Sequence, residues 1–99
     1  MVRHIILWKL KEIMTDDEKA AARAEAKRRL EALNGQIEGL ISLTVITDRL
    51  PSSNADMMLD SSFTDAEALA GYQVNPKHLE AAGYVRSVVA SRACLDFEA

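Results

Sequence analysis

The sequence predicts an α+β fold in which helices cover one face of a four-stranded antiparallel sheet. The chain has 99 residues, which is the usual size of one small domain. Four short segments have the alternation or the β-branched composition that is typical of strands. Two Thr-Asp-x-Glu segments, which begin at Thr15 and Thr64, each precede a helical pattern. The chain is therefore predicted to contain two successive halves, each with the order strand, helix, strand.

The first half begins with a predicted strand and helix. Residues 2–10, VRHIILWKL, are rich in β-branched and aromatic types and too short for a core helix, so we expect a strand. A capping box follows, in which the Thr15 hydroxyl accepts a backbone N–H and Glu18 reaches back to the cap. The helix that it starts is expected to run for about 19 residues, because Asn34-Gly35 supplies a left-handed stop.

Three more strands and a second helical region make up the rest of the chain. We expect strands over residues 41–48, 56–63 and 92–98, because apolar and polar side chains alternate in each. Thr64 is expected to head the second capping box and to open a helix that ends near Val74.

The stretch GYQVNPKHL breaks that helix and starts another. Pro76 has no N–H and a fixed φ, which suit the first position of a helix, so Asn75 is predicted to be its N-cap. The new helix is expected to reach Val89 and to carry His78 in its first turn. Tyr72 lies in the last turn of the preceding helix. Such a corner can direct the phenol and the imidazole toward the same sheet.

Two βαβ units that share one antiparallel sheet form the ferredoxin-like βαββαβ arrangement, with the helices on one face. The chain has nothing of its own to cover the other face. The apolar residues expected on that face are Ile5, Leu7, Ile46, Met58 and Cys94. We therefore expect a homodimer in which two such faces meet as a dimeric α+β barrel. A monomer with a half-polar, solvated face is the alternative.

Composition excludes several classes of partner and site. The net charge is −3 and the basic residues form no stripe, which argues against nucleic acid. No leader pattern and no apolar run of about 18 residues is present, so we expect a soluble, cytoplasmic protein that binds no membrane. The two histidines have no Cys or carboxylate at ligand spacing, so no metal is expected, and Cys94 is expected to be a small core residue. No phosphate-binding loop or other cofactor motif is found.

Tyr72 and His78 are the candidate chemical pair. The positive end of a helix disfavours a second positive charge, so His78 is expected to be neutral at pH 7, as a general base must be. His4 alternates with apolar residues, which places it on the face that the helices cover. The alternative for each residue is structural: a packed tyrosine, a solvated His78 and a His4 satisfied by one hydrogen bond.

Four segments together resemble the stress-responsive α/β-barrel domain (Dabb) family. They are the opening RHIILWKLK, the I-x-G-L before the second strand, the A-L-x-x-Y-Q-x-x-P-x-H corner and the closing CLDFE. The resemblance covers residues 1–99 as a single domain. It implies a dimeric α+β barrel, which agrees with the fold predicted above.

The resemblance also implies a site between helices and sheet. A plant polyketide cyclase of this family closes a linear polyketide by aldol chemistry, and its catalytic Tyr and His correspond to Tyr72 and His78. The residues that the resemblance places in the substrate pocket are His4, Ile6, Trp8, Met57 and Leu59. The sequence departs from the pattern at Met57 and Asn75, where histidines are found in the cyclase or commonly in the family. Trp8 is also large enough to shorten the pocket.

Three functions are compatible with these residues. The first, which we favour, is a homodimeric Dabb-domain protein of unresolved role that binds a small hydrophobic ligand. The second is a cofactor-independent polyketide cyclase-like or other lyase or isomerase, in which His78 removes a proton next to a carbonyl and Tyr72 stabilises the enolate. The third is a non-catalytic structural stress-responsive protein. A cavity reached by both Tyr72 and His78 would favour the first two.

Overall fold

The structure is a computed structural model that describes residues 1–99. Its seven elements are β1 (Val2–Leu10), α1 (Asp16–Glu31), β2 (Leu40–Ile46), β3 (Met57–Phe63), α2 (Ala66–Val74), α3 (Pro76–Val88) and β4 (Val89–Glu98). The strands form one sheet in the order β2-β3-β1-β4, and every neighbouring pair is antiparallel. The predicted ferredoxin-like βαββαβ fold is therefore confirmed.

The hydrophobic core lies between the helices and one face of the sheet. Ile6 of β1 pairs with Leu59 of β3, and Leu59 pairs with Val45 of β2, so these three side chains form one buried row. The helix α1 contributes Ala22 and Ala26, which are both buried. Side chains as small as alanine let the helix backbone approach the sheet closely, so the layer between them is thin.

The first helix cap is as predicted and the second is not. Thr15 and Glu18 form the full capping box, with N···O distances of 2.8 and 3.1 Å. At the start of α2, however, the N-cap is Asp65, whose carboxylate accepts a hydrogen bond from the Ala68 N–H at 2.8 Å. The capping box predicted at Thr64 is wrong, because the Thr64 N–H donates to the Gly39 carbonyl at 2.9 Å and is not free for a cap.

The helix α1 is shorter than expected, with 16 residues that end at Glu31. The side chain of Asn34 donates to the Glu31 carbonyl at 3.0 Å and exchanges two hydrogen bonds with the backbone of Leu43 in β2. These bonds tie the end of the helix to the sheet. Gly35 has φ of 78°, so the predicted left-handed stop is present.

Gly39 fixes how closely α2 approaches the start of β2. Its φ is 82°, and a Cβ at this position would lie 2.4 Å from the Ala68 Cβ. Real carbon atoms do not approach so closely, so any side chain here would push α2 away from the sheet. The I-x-G-L segment therefore contains a glycine that both the backbone angle and the packing require.

The predicted corner between α2 and α3 is confirmed. Asn75 has φ of −66° and ψ of 131°, and its side-chain oxygen accepts from the Lys77 N–H at 2.9 Å. Pro76 is the first residue of α3. The Asn75 N–H also donates to the Tyr72 carbonyl at 3.1 Å, so this one residue ends α2 and begins α3.

The opposite face of the sheet is not covered by any part of the chain. Ile46, Met58 and Leu7 are paired side by side across three strands, and Ile5 pairs with Leu95 of β4. Leu7 is 43% exposed and Leu95 is 65% exposed. This face thus presents a row of apolar side chains to its surroundings.

Cys94 was expected on the uncovered face and in a core position, and both expectations are wrong. It pairs with Ile6, which places its side chain on the same face as the helices. Cys94 is nevertheless exposed, because β4 is an edge strand and most of it extends beyond the helices. The residues predicted for the two faces of β4 were therefore exchanged, which is the effect of a shift by one residue along the strand.

None of the three helices combines the length and the hydropathy that crossing a membrane requires. The cytoplasmic location that the sequence suggested stays a prediction.

Candidate functional site

The corner at Asn75-Pro76 brings Tyr72 and His78 into contact. Tyr72 lies in the last turn of α2, and His78 lies in the first turn of α3. Their ring centroids are 4.1 Å apart, with 38° between the ring planes. The ring of Phe63, at the end of β3, lies 5.0 Å from the Tyr72 ring. The two candidate residues therefore share one aromatic cluster above the sheet.

His4 belongs to the same cluster, but its hydrogen bonds are with residues of the sheet. Its ring lies edge-on to Tyr72, with centroids 6.2 Å apart. His4 Nδ1 is hydrogen-bonded to the carboxylate of Asp96 in β4. The Ser61 hydroxyl donates to the His4 carbonyl at 2.8 Å. His4 is buried, so these bonds satisfy it in a place where an unpaired polar group would be costly.

A cavity of about 270 Å³ lies between the sheet and the helices. Its lining residues are Ile6, Trp8, Leu30, Leu59, Tyr72, Gln73, His78, Ala82, Val85, Arg86, Val89 and Arg92. Ligand pockets usually measure roughly 300–1,000 Å³, so this one has room for a small molecule only. The structure thus brings together five of the seven residues suggested by the sequence, namely Ile6, Trp8, Leu59, Tyr72 and His78.

The remaining two residues, His4 and Met57, are not part of this lining. His4 is behind Tyr72, at the Asp96 side of the aromatic cluster. Met57 lines a separate recess together with Leu7 and the loop that follows β2. Their suggested role in substrate binding stays a prediction.

Sequence reasoning missed Arg86 and Arg92 as lining residues. Arg86 follows His78 and Ala82 at intervals of four along α3, so the helical period could have placed it on the same side. Arg92 pairs with Trp8 across the sheet, and only the register between β1 and β4 reveals this.

Burial sets the protonation of the candidate pair. The Tyr72 hydroxyl and His78 Nδ1 are both buried and neither has a hydrogen-bond partner. Burial raises the pKa of Tyr72 well above its ordinary value, so the phenol keeps its proton. The pKa of His78 is lowered, mainly by burial and further by the charges of His4 and Arg86, while the backbone of Gln73 opposes the shift. The site therefore contains a hydroxyl donor beside a neutral imidazole.

A second cluster of polar groups surrounds His4. Potential ligand atoms of His4, Cys94 and Asp96 lie within 4.8 Å of one another, and this mixed set of N, S and O donors is of the kind that binds zinc. The spacing of these residues did not reveal this cluster, because β1 and β4 bring together residues that are far apart along the chain. That no metal binds here stays a prediction. A metal would have to break the hydrogen bond between His4 and Asp96. The pKa of the Cys94 thiol is raised, first by the partial burial of its sulfur and then by the negative charge of Asp96.

Residues 2–99 match the family described as the Stress responsive A/B Barrel Domain, Dabb. The chain belongs to the Dabb family. No curated protein matches this Dabb-domain chain.

Solved structures share the fold of this Dabb-domain protein. A dimeric protein of unknown function from Bacteroides fragilis, described as ferredoxin-like, is 28% identical with a TM-score of 0.92, covering 99% of this chain and 95% of that one. A dimeric ferredoxin-like protein of unknown function from Thermobifida fusca is 22% identical, with a TM-score of 0.80 and coverage of 99% and 90%. A hydroxynitrile lyase from Passiflora edulis is 17% identical, with a TM-score of 0.72 and coverage of 97% and 90%.

We predict that the His78 ring titrates below pH 6.5, the ordinary value for a histidine. Its proton binds more tightly in the unfolded chain, so the free energy of unfolding should decrease as the pH falls from about 6.5 to the pKa of the folded state. NMR titration of the His78 ring protons measures the midpoint directly. The variant His78→Gln should lack this part of the pH dependence. A midpoint at or above 6.5 would contradict the prediction that burial lowers the pKa of His78.

Proposed function

We propose that this Dabb-domain protein binds a small apolar molecule in the cavity beside Tyr72 and His78. The observation that carries the proposal is the Tyr72 hydroxyl, which is buried in a residue only 1% exposed and has no hydrogen-bond partner. A buried, unpaired hydroxyl costs about 1–3 kcal/mol, so a tyrosine with a packing role alone would be more stable as phenylalanine. A carbonyl or hydroxyl oxygen of a ligand would accept the missing bond.

The rest of the cavity supports an apolar ligand. Ile6, Trp8 and Leu59 form part of its wall, and all three are buried. The polar groups in this wall are few, which is the usual composition of a small-molecule site: apolar surface for affinity and a small number of donors and acceptors for orientation. Trp8 is the single tryptophan of the chain, so its fluorescence reports entry of a ligand.

We predict that Tyr72→Phe separates stability from binding. The free energy of unfolding should stay the same or rise by about 1 kcal/mol, because the substitution removes an unpaired buried hydroxyl. Binding of 2-heptanone, a small apolar ketone, should weaken by about tenfold through the lost hydrogen bond. Denaturant unfolding and Trp8 fluorescence measure the two effects.

The matched control for this experiment is Tyr84→Phe. Tyr84 is the other tyrosine of the chain; it stacks with Arg29 and does not line the cavity. This variant should bind 2-heptanone as tightly as the wild type. If Tyr72→Phe instead loses stability and binds the ketone normally, the hydroxyl has a structural role and the proposal fails.

A second candidate function is proton transfer at carbon. It is favoured by the contact between a neutral His78, whose Nδ1 is unpaired, and the protonated Tyr72. In this reaction His78 Nδ1 accepts a proton from the carbon next to a carbonyl, and the Tyr72 hydroxyl donates a hydrogen bond to the enolate oxygen that forms. Return of the proton to carbon restores the imidazole. A hydroxynitrile lyase has the same fold, so the fold is compatible with catalysis.

We predict that an acid-base pair at this site would exchange the α-protons of 2-heptanone for deuterium from solvent. The exchange should be lost in His78→Gln, because the amide does not act as a base. Proton NMR of the ketone in D₂O measures the rate. A protein that binds the ketone but exchanges no faster than buffer is a binding protein and not a catalyst.

We also infer that the protein is a homodimer joined through the uncovered face of the sheet. The row of Ile46, Met58 and Leu7 is apolar and would otherwise face solvent. The similar structures from Bacteroides fragilis and Thermobifida fusca are both described as dimeric. Two such faces packed together would form the barrel that the family description names.

We predict that Leu7→Asp dissociates this dimer. A charge without a partner at an apolar interface costs several kcal/mol, roughly 3–5, which is enough to shift a micromolar dimer to monomer. The molar mass in solution, from light scattering, gives the result. The control is Ile13→Asp, because Ile13 is 90% exposed and lies outside the sheet, so this variant should stay dimeric. A Leu7→Asp variant with the mass of a dimer would place the interface elsewhere.

A further inference from the structure

Two arginines line the exposed side of the cavity, and the proposed function does not use them. Arg86 comes from α3 and Arg92 from β4, and the side chains of both are exposed. Neither forms a salt bridge, whereas other arginines of the chain, such as Arg3 and Arg28, are paired with carboxylates.

The charge of this cavity is opposite to the charge of the chain. The whole protein has 15 acidic and 12 basic residues, a net charge of −3. No Asp or Glu is found among the lining residues, while two guanidinium groups are. A recess with one sign of charge and apolar walls concentrates ions of the opposite sign, because the low-dielectric walls focus the electric field. The cavity is therefore electrostatically suited to an anion.

The position of the arginines fits a ligand with one apolar end and one negatively charged end. Arg92 pairs with Trp8 in the register of β1 and β4, on the face that the helices cover. The positive charge of Arg86 contributes to the lowered pKa of His78, so Arg86 is close enough to act on the buried part of the site. The buried part is apolar around Ile6 and Leu59, and the exposed part is cationic.

We propose that the ligand of this cavity is a small apolar carboxylic acid, bound as its anion. Arg86 and Arg92 bind the carboxylate at the exposed side, and the hydrocarbon part packs against the apolar wall. Guanidinium groups form paired, charge-assisted hydrogen bonds with carboxylates, so two of them select an acid over a neutral molecule of the same shape. This inference rests on the proposed function, since it assumes that the cavity is the binding site.

The test compares two probes with the same number of non-hydrogen atoms, hexanoate and hexanamide, by Trp8 fluorescence at pH 7. Hexanoate should bind about tenfold more tightly than hexanamide, the difference expected for a desolvated charge-assisted contact. Arg86→Gln and Arg92→Gln should each weaken hexanoate binding much more than hexanamide binding, which removes most of this preference. Circular dichroism confirms that each variant is folded.

The matched control is Arg23→Gln, which makes the same change of charge. Arg23 lies on α1, has no salt bridge and does not line the cavity, so hexanoate binding should not change. A decrease in this variant as large as in the other two would show that net charge and not the cavity determines the affinity, which overturns the inference.

The remaining outcomes separate this inference from the proposed function. Equal affinity for hexanoate and hexanamide overturns the carboxylate and leaves ligand binding intact. Tighter, arginine-dependent binding of hexyl phosphate than of hexanoate overturns the carboxylate in favour of a phosphate. If 2-heptanone binds and hexanoate does not, the carboxylate is again wrong. If no probe binds, the proposed function itself fails.

Discussion

The hydrogen bonds of Asn75 at the break between α2 and α3 determine where the candidate site of this Dabb-domain protein lies. Asn75 caps α3 with its side chain and ends α2 with its N–H. With Pro76 behind it, the backbone cannot continue as one helix, so the chain changes direction within a single residue. Tyr72 and His78 are six residues apart in sequence, and this change of direction brings their rings into contact. A continuous helix would have placed them on different sides.

The sheet beneath the corner supplies the rigidity that a site needs. The row of Ile6, Leu59 and Val45 belongs to three hydrogen-bonded strands, and its packing leaves these side chains little freedom. His4 is fixed on the same face by Asp96 and by the rings around it. Against this background the unpaired hydroxyl of Tyr72 is an exception. Polar groups that are buried without partners lower stability, and in folded proteins they tend to occur where function requires them.

The two faces of the sheet differ in what covers them. One face, together with α2 and α3, encloses the small cavity with its cationic side at Arg86 and Arg92. The other face presents Leu7 and its apolar neighbours, which the chain leaves uncovered. A side-chain period of two along each strand separates the two sets, so consecutive residues such as Ile6 and Leu7 lie on opposite faces. Shifting a strand by one residue would exchange them.

The features that the sequence alone predicted depend on local interactions. The four strands, the Thr15 capping box and the break at Asn75-Pro76 involve groups at most a few residues apart, so their patterns can be read directly. The corner also predicted that His78 lies in the first turn of α3, although a solvated side chain stayed the alternative. The remaining features depend on contacts between segments that are far apart in the sequence. The N-cap of α2 is Asp65 and not Thr64. Cys94 and Asp96 lie beside His4, and Arg92 lies opposite Trp8. These outcomes depend on strand register and on contacts between distant segments, and neither is encoded in the spacing of neighbouring residues.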